Sequence, residues 1–257
     1  MKTLFIKARW AAVAMAAVLL VGAWLYGTRP VFTAASGAQR ELPIYCVDQA
    51  YKVASLTFDA AWGNEDTQQL IDILGKYDVK ATFFVVGDWA RKYPESVKAL
   101  HDAGHEIMNH SDTHAHMPQL SREQIIEDIN NGNDAVEAAC GVRPTLFRAP
   151  YGEYDNKLIT TLQSLGMETI QWDVDSLDWK NPTPANIQKR VTTRVKPGSI
   201  VLFHNAAKNT PTALPGIIEH LQKEGYQLIP VSQLIYKAPY TLDHTGRQFP
   251  AAASQTP

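Results

Sequence analysis

The sequence predicts an α/β fold in which about seven parallel strands alternate with outer helices. Short apolar runs rich in β-branched and aromatic residues recur along the chain, separated by segments whose apolar residues fall at helical spacing. The connections are short, so strands joined through those helices run parallel, in an open doubly wound sheet or a barrel. The polar residues just past the strands are also chemically coherent.

Ahead of that pattern, Lys2, Lys7 and Arg9 precede an apolar run over residues 10–26. Positive charge before a hydrophobic stretch predicts an N-terminal transmembrane or signal helix over residues 1–27, exporting the rest of the chain. Trp24, Leu25 and Tyr26 stand where a cleavage site needs small residues. An uncleaved single-pass anchor in the cell membrane, with the domain extracytoplasmic, is therefore expected over a removed signal peptide and secretion. Residues 28–42, rich in Ala, Gly and Ser, predict a linker, 43–237 the folded domain, and 238–257 a polar, disordered tail.

Within the domain, residues 53–58 predict a strand and 67–77 a helix carrying Leu70, Ile71, Ile73 and Leu74 on one face. The run A-T-F-F-V-V over 81–86 is a second strand, and 95–103 a helix stopped by Gly104, a residue suited to the left-handed C′ position. A third strand begins at Ile107 and runs into M-N-H-S-D-T-H-A-H-M. S-R-E-Q then opens a long helix over 121–139 with a capping box. Strands at 145–147, 168–172, 199–203 and 227–229 alternate with helices at 156–165, 183–195 and 213–224, the second with Pro184 in its first turn.

The 257 residues carry a formal net charge of −2 and no Lys/Arg run, which excludes a broad nucleic-acid surface. Cys46 and Cys140 form one disulfide or remain two buried thiols, and neither has a neighbouring base that would mark a nucleophile.

His110 and His114 stand four apart, so both imidazoles can face one point, as two legs of a metal site do. In a parallel barrel, functional residues sit just past the carboxyl ends of strands. Asp59, the two histidines, Arg148 with Tyr151, then Asp173, Asp175 and Asp178, and finally His204 with Asn205 all come directly after proposed strands.

The ordered set T-F-D-A-A-W-G, H-S-D-T-H, F-R-A-P-Y-G, W-D-V-D-S-L-D-W and I-V-L-F-H-N resembles the five motifs of the polysaccharide deacetylases, carbohydrate esterase family 4, with its peptidoglycan and sporulation-associated branches. The resemblance covers about residues 53–236. It implies a distorted (β/α) barrel with fewer than eight repeats and metal-dependent removal of acetyl groups from an N-acetylated cell-envelope polysaccharide. It also implies roles. His110 and His114 would bind zinc or a similar divalent metal, Asp59 would be the general base, and Arg148 would keep Asp59 ionised. The Tyr151 backbone N–H would stabilise the oxyanion. His204 would protonate the leaving amine, with Asp175 or Asp178 keeping it charged, and Leu202 and Trp179 would receive the acetyl methyl.

Two positions depart from the pattern. Ala60 stands where the family has a second acid as third metal ligand, and Ala149 replaces a proline. Glu65, Asp66 and Asp112 are the nearest acids and His116 the spare imidazole, so the third ligand stays open. Trp62, Trp89 and Trp179 are candidate sugar platforms. A non-catalytic glycan-binding barrel with a degraded metal site is the alternative, and a hydrolase of a non-sugar amide a third. Retention of a base, its arginine and an acid together favours the enzyme.

Overall fold

The computed structural model describes residues 40–251. The expected membrane helix and residues 252–257 lie outside them. Among the described residues no helix is long and apolar enough to cross a membrane.

The strands are β1 (Cys46–Val47), β2 (Val53–Ala60), β3 (Thr82–Val85), β4 (Glu106–Asn109), β5 (Leu146–Phe147), β6 (Glu168–Thr169), β7 (Val174–Asp175), β8 (Ser199–His204), β9 (Gln227–Leu228), β10 (Tyr240–Leu242) and β11 (Arg247–Pro250). A parallel path runs β8-β2-β3-β4-β5-β6, with β7 added on β8 and β9 on the start of β2. Ile44 bridges Ile170 just past β6, while Cys46 pairs antiparallel with Ser199 of β8. One short segment thus reaches both margins of the curled sheet, giving an α/β half-barrel.

The eight residues of β2 explain why its end can carry chemistry. Leu56, Phe58 and Ala60 face an apolar layer under the helices, and Phe58 stacks between Phe83 and Phe203 at 4.8 and 5.4 Å. Alternation puts Ser55, Thr57 and Asp59 on the opposite, inner face. There Ser55 Oγ donates to Ile229 O and Thr57 Oγ1 to Val201 O, both at 2.7 Å, so the buried hydroxyls are satisfied.

The helices Thr67–Lys76, Pro94–Asp102, Arg122–Cys140, Asn156–Ser164, Pro184–Thr192 and Thr210–Lys223 match the expected segments within a few residues. Ser121 and Gln124 make the reciprocal capping box that the sequence announces. The helix Gly87–Lys92 is not among those expected, because six residues are too few to display a period.

Three expectations are corrected. The strand expected over 168–172 is split: β6 ends at Thr169, and the chain re-enters the sheet as β7 beside β8. The domain starts before residue 43, since Arg40 Nη2 donates to Tyr154 Oη and Glu41 N to Asn156 Oδ1. The tail is ordered as far as residue 251: β10 and β11 form an antiparallel hairpin, and β11 extends β1 in parallel. Asp243 Oδ1 accepts from Thr245 N, and Gly246, at φ 78°, passes so close to Pro43 that a Cβ would fall 2.7 Å from its carbonyl oxygen. Gln248, wholly buried, exchanges hydrogen bonds with both backbone groups of Tyr236. A polar composition conceals strands whose side chains satisfy backbone groups rather than fill a core.

Candidate active site

Asp59 lies at the carboxyl end of β2, paired in register with His204 of β8, and is 4 % exposed. Its Oδ1 accepts from Arg148 Nη1 at 2.7 Å, and the same Nη1 reaches Thr57 Oγ1 at 2.8 Å. Arg148 Nη2 donates to Gln171 O, and the guanidinium lies over Phe84 at 4.1 Å and Trp172 at 5.5 Å. Burial alone would raise the Asp59 pKa. The Arg148 charge, with His110 and His204, outweighs burial and holds the carboxyl below its usual range.

His110 sits just past β4. Its Nδ1 lies 2.8 Å from Arg148 O; a carbonyl only accepts, so Nδ1 carries the proton and Nε2 presents a lone pair. That Nε2 is 3.5 Å from Asp59 Oδ2. The loop then turns through Ser111 (φ 70°) and His114 (φ 58°), with His114 N donating to Ser111 Oγ at 2.8 Å. Beneath it, Asn109 Oδ1 accepts from Ser111 N, and Asp112 N donates to Asp128 Oδ1. Gly87 and Gly132 let two helices press on this loop: a Cβ at Gly87 would fall 2.1 Å from Asp112 Oδ1, and one at Gly132 would fall 3.1 Å from Ser111 O. Burial lowers the pKa of both imidazoles. His114, next to His110, is pushed down to about 4, so both are neutral at pH 7.

His204 ends β8 and receives its partner from the Val174–Lys180 segment. Its Nδ1 donates to Asp178 Oδ1 at 2.8 Å and its backbone N to Oδ2 at 2.9 Å. Asp178, fully buried, also accepts from Trp179 N and Thr210 Oγ1. Burial would lower the His204 pKa, but the Asp178 hydrogen bond and charge overcome it, and the net direction is upward.

These groups open on a cleft of about 410 Å³ lined by Asp59, Trp62, His110, His114, Tyr151, Trp172, Asp175, Trp179, Leu202 and His204. Trp62 and Trp179 are more than half exposed, whereas Leu202 is 2 % exposed and contributes a small apolar wall. Asn205 braces the Trp62 loop, accepting from Ala61 N and donating to Trp62 O. Tyr151 has φ 60°, and its backbone N–H makes no hydrogen bond within the described residues.

Of the residues singled out in the sequence, Asp59, Trp62, His110, His114, Tyr151, Asp175, Trp179, Leu202 and His204 line this cleft, and Arg148 and Asp178 hydrogen-bond to Asp59 and His204. Asp178, not Asp175, is the hydrogen-bonding partner of His204, since Asp175 Oδ1 accepts from Leu177 N. Asp173 is elsewhere: it binds Ser199 Oγ and Ile200 N at the opposite end of β8. Trp89 is core, 2 % exposed, with its indole N–H on Gly63 O. Of the acids near enough in sequence to be a third ligand, Asp112 is paired with Arg91 at 2.6 Å and Asp66 accepts from Ala206 N. Ala60, 1 % exposed, packs in the apolar layer. Sequence reasoning misses Trp172 as a cleft wall and Thr57 as a partner of Arg148. The inward register of β2 signals Thr57, and the motif that ends in Trp179 begins with Trp172.

The donor set fits a divalent metal in part. The His110 and His114 ring centroids are 5.1 Å apart, against about 5 Å for two imidazoles sharing a tetrahedral ion at roughly 2 Å from each nitrogen. The Nδ1–H of His110 is anchored on a carbonyl, the arrangement that orients a ligating imidazole. Among the described residues no cluster of three or more His, Cys, Asp or Glu forms a ready cation cage. An ion seated here would rest on the two imidazoles, with no carboxylate from position 60.

A carboxylate fixed by a buried arginine, two neutral imidazoles and a third imidazole on an aspartate, all at the carboxyl edge of a parallel α/β half-barrel, are arranged as in a hydrolase. The chain belongs to the polysaccharide deacetylase family. The polysaccharide deacetylase model matches residues 47–170. The peptidoglycan-N-acetylglucosamine deacetylase of Bacillus cereus is 34% identical over 189 residues, covering 72% of this chain and 88% of that protein. The peptidoglycan-N-acetylmuramic acid deacetylase PdaC of Bacillus subtilis is 38% identical over 188 residues, covering 73% of this chain and only 40% of its own length. Among solved structures, BA3943 of Bacillus anthracis, a family 4 pseudoenzyme, matches with TM-score 0.72 and 36% identity, over 75% of this chain and 68% of that one.

Proposed function

We propose that the protein removes acetyl groups from an N-acetylated cell-envelope glycan, peptidoglycan or a chitooligosaccharide-like chain, releasing acetate. The observation that carries this is the Asp59–Arg148 pair set 3.5 Å from the lone pair of His110, with His204 across the same cleft. Relatives named as peptidoglycan deacetylases support it. The charge-then-apolar N-terminus supports placement outside the cytoplasm.

His110 and His114 would hold a divalent metal, zinc being suited to imidazole ligands, which would supply Lewis-acid polarisation of the acetyl carbonyl and of a water. Asp59, kept ionised by Arg148, accepts the proton of the attacking water. The unpaired N–H of Tyr151 donates to the oxyanion. His204, held charged by Asp178, gives its proton to the leaving sugar amine. Leu202 and Trp179 enclose the acetyl methyl, and Trp62 offers an exposed indole face to a pyranose ring. Acetate release with an equal yield of free glycan amine is the experiment that tests this function.

Asp178 sets the pH profile. His204 acts protonated, a form that is present below its folded pKa and lost as pH rises through it. The raised value places the alkaline limb of kcat/KM above the ordinary imidazole range near 6.5. Asp178→Asn removes the charge that most strongly opposes burial and leaves only the weaker ones of Asp59 and Asp175, so that limb moves to lower pH. A limb that stays in place or moves up in a pH–rate series contradicts the assignment.

A second reading, a glycan-binding barrel without turnover, is favoured by Ala60 and by the likeness to BA3943. A mutant of that pseudoenzyme is described as having restored enzymatic activity.

A further inference from the structure

His116 has no part in the chemistry above, yet it is packed against it. Its imidazole lies face to face with the Tyr151 ring, centroids 4.3 Å apart and planes 12° from parallel. Its Nδ1 is 2.8 Å from Glu153 Oε2; a carboxylate only accepts, so the imidazole N–H donates and Glu153 fixes the ring's orientation. The Tyr151 ring also meets His114 edge-on at 4.6 Å. Glu153, Tyr151 and the two imidazoles form one continuous stack on the rim of the cleft.

Tyr151 needs such support. At φ 60° and ψ 3° it occupies the left-handed region, where a bulky side chain costs on the order of 1 kcal/mol or more and persists only if its surroundings hold it. The turn is closed by Gly152 N on Ala149 O and Glu153 N on Pro150 O, both at 3.1 Å, and neither bond uses Tyr151's own N–H. Tyr151 is 57 % exposed, and among the described residues the aromatic rings it meets are those of His114 and His116.

We infer that His116, clamped by Glu153, is a positioning residue: it presses the Tyr151 ring against His114 and so holds Tyr151 in the left-handed turn that leaves its N–H free beside the cleft. This rests on the proposed role of that N–H as oxyanion donor. His116 and Glu153 are each nearly half exposed, so the pair adds little to global stability, and a merely structural role predicts almost no kinetic effect from its removal.

Steady-state acetate release by wild type, His116→Ala and His116→Phe tests the inference. A donor that acts in the transition state affects kcat, so His116→Ala lowers kcat by about tenfold with KM unchanged. His116→Phe, which restores a flat ring against Tyr151, recovers most of the loss. An unchanged kcat in His116→Ala, a loss confined to KM, or a Phe variant no better than Ala overturns the inference and leaves the deacetylase reading intact. No acetate from wild type on any glycan overturns both.

Discussion

Asp59→Asn lowers acetate release by about two to four orders of magnitude, the range usual when a general base is removed. The amide keeps an oxygen for Arg148 Nη1, and the guanidinium retains Thr57 Oγ1 and Gln171 O, so the domain stays folded though less stable. What disappears is the negative charge that, in the proposed mechanism, takes the water's proton. Initial rates of acetate release, compared at equal folded concentration by circular dichroism, check the result. A variant as active as wild type would place the base elsewhere, and Asp175 is the other carboxylate lining the cleft.

Arg148→Met has the largest expected effect on stability. Both members of the pair are buried, Arg148 completely, and removing one partner of a buried ion pair costs about 3–5 kcal/mol because the other charge is stranded. Methionine fills the slot between Phe84 and Trp172 and leaves Asp59 without its cation. The loss depends on pH with a definite sign. The depressed folded pKa of Asp59 in wild type contributes stability above the unfolded value near 4, and that stability is lost as pH falls through the folded value. In the variant the carboxyl protonates more readily, so the gap between the two proteins narrows toward acid pH. Urea titrations at pH 7 and pH 4 measure it. A gap that widens on acidification would mean that Arg148 does not hold Asp59 ionised.

Much of this site is legible in the sequence because one rule reaches it. Residues just past parallel strands face a common opening, and Asp59, His110, His204 and Arg148 each end or succeed a run whose hydrophobic pattern is plain. Where pattern fails, so does the prediction. β7 is two residues of a W-D-V-D-S segment with no apolar run, and its place on β8 shows only in three dimensions. The choice of Asp178 over Asp175 depends on the left-handed turn at Leu177, which swings the later carboxylate under His204. The same short segment misleads about Asp173, which precedes β7 and serves the other end of β8. The hairpin at 240–250 is hidden by its low apolar content, although D-H-T-G between two extended runs is a turn signal. In sequence His116 is only a spare ligand. The structure reveals its ring on Tyr151 and its proton on Glu153.

In the proposed mechanism the two imidazoles of one loop arm this cleft for hydrolysis even though position 60 is alanine. This is tested most directly by measuring acetate release, with an equal yield of free glycan amine, by the protein stripped with chelator and titrated with Zn²⁺. N-acetylated glycans should be the substrates, with His110→Ala as the comparison. Release that rises with added zinc in wild type and is lost in the variant is the expected result. Glycan bound by wild type with no acetate released at any zinc concentration contradicts it and favours the binding barrel.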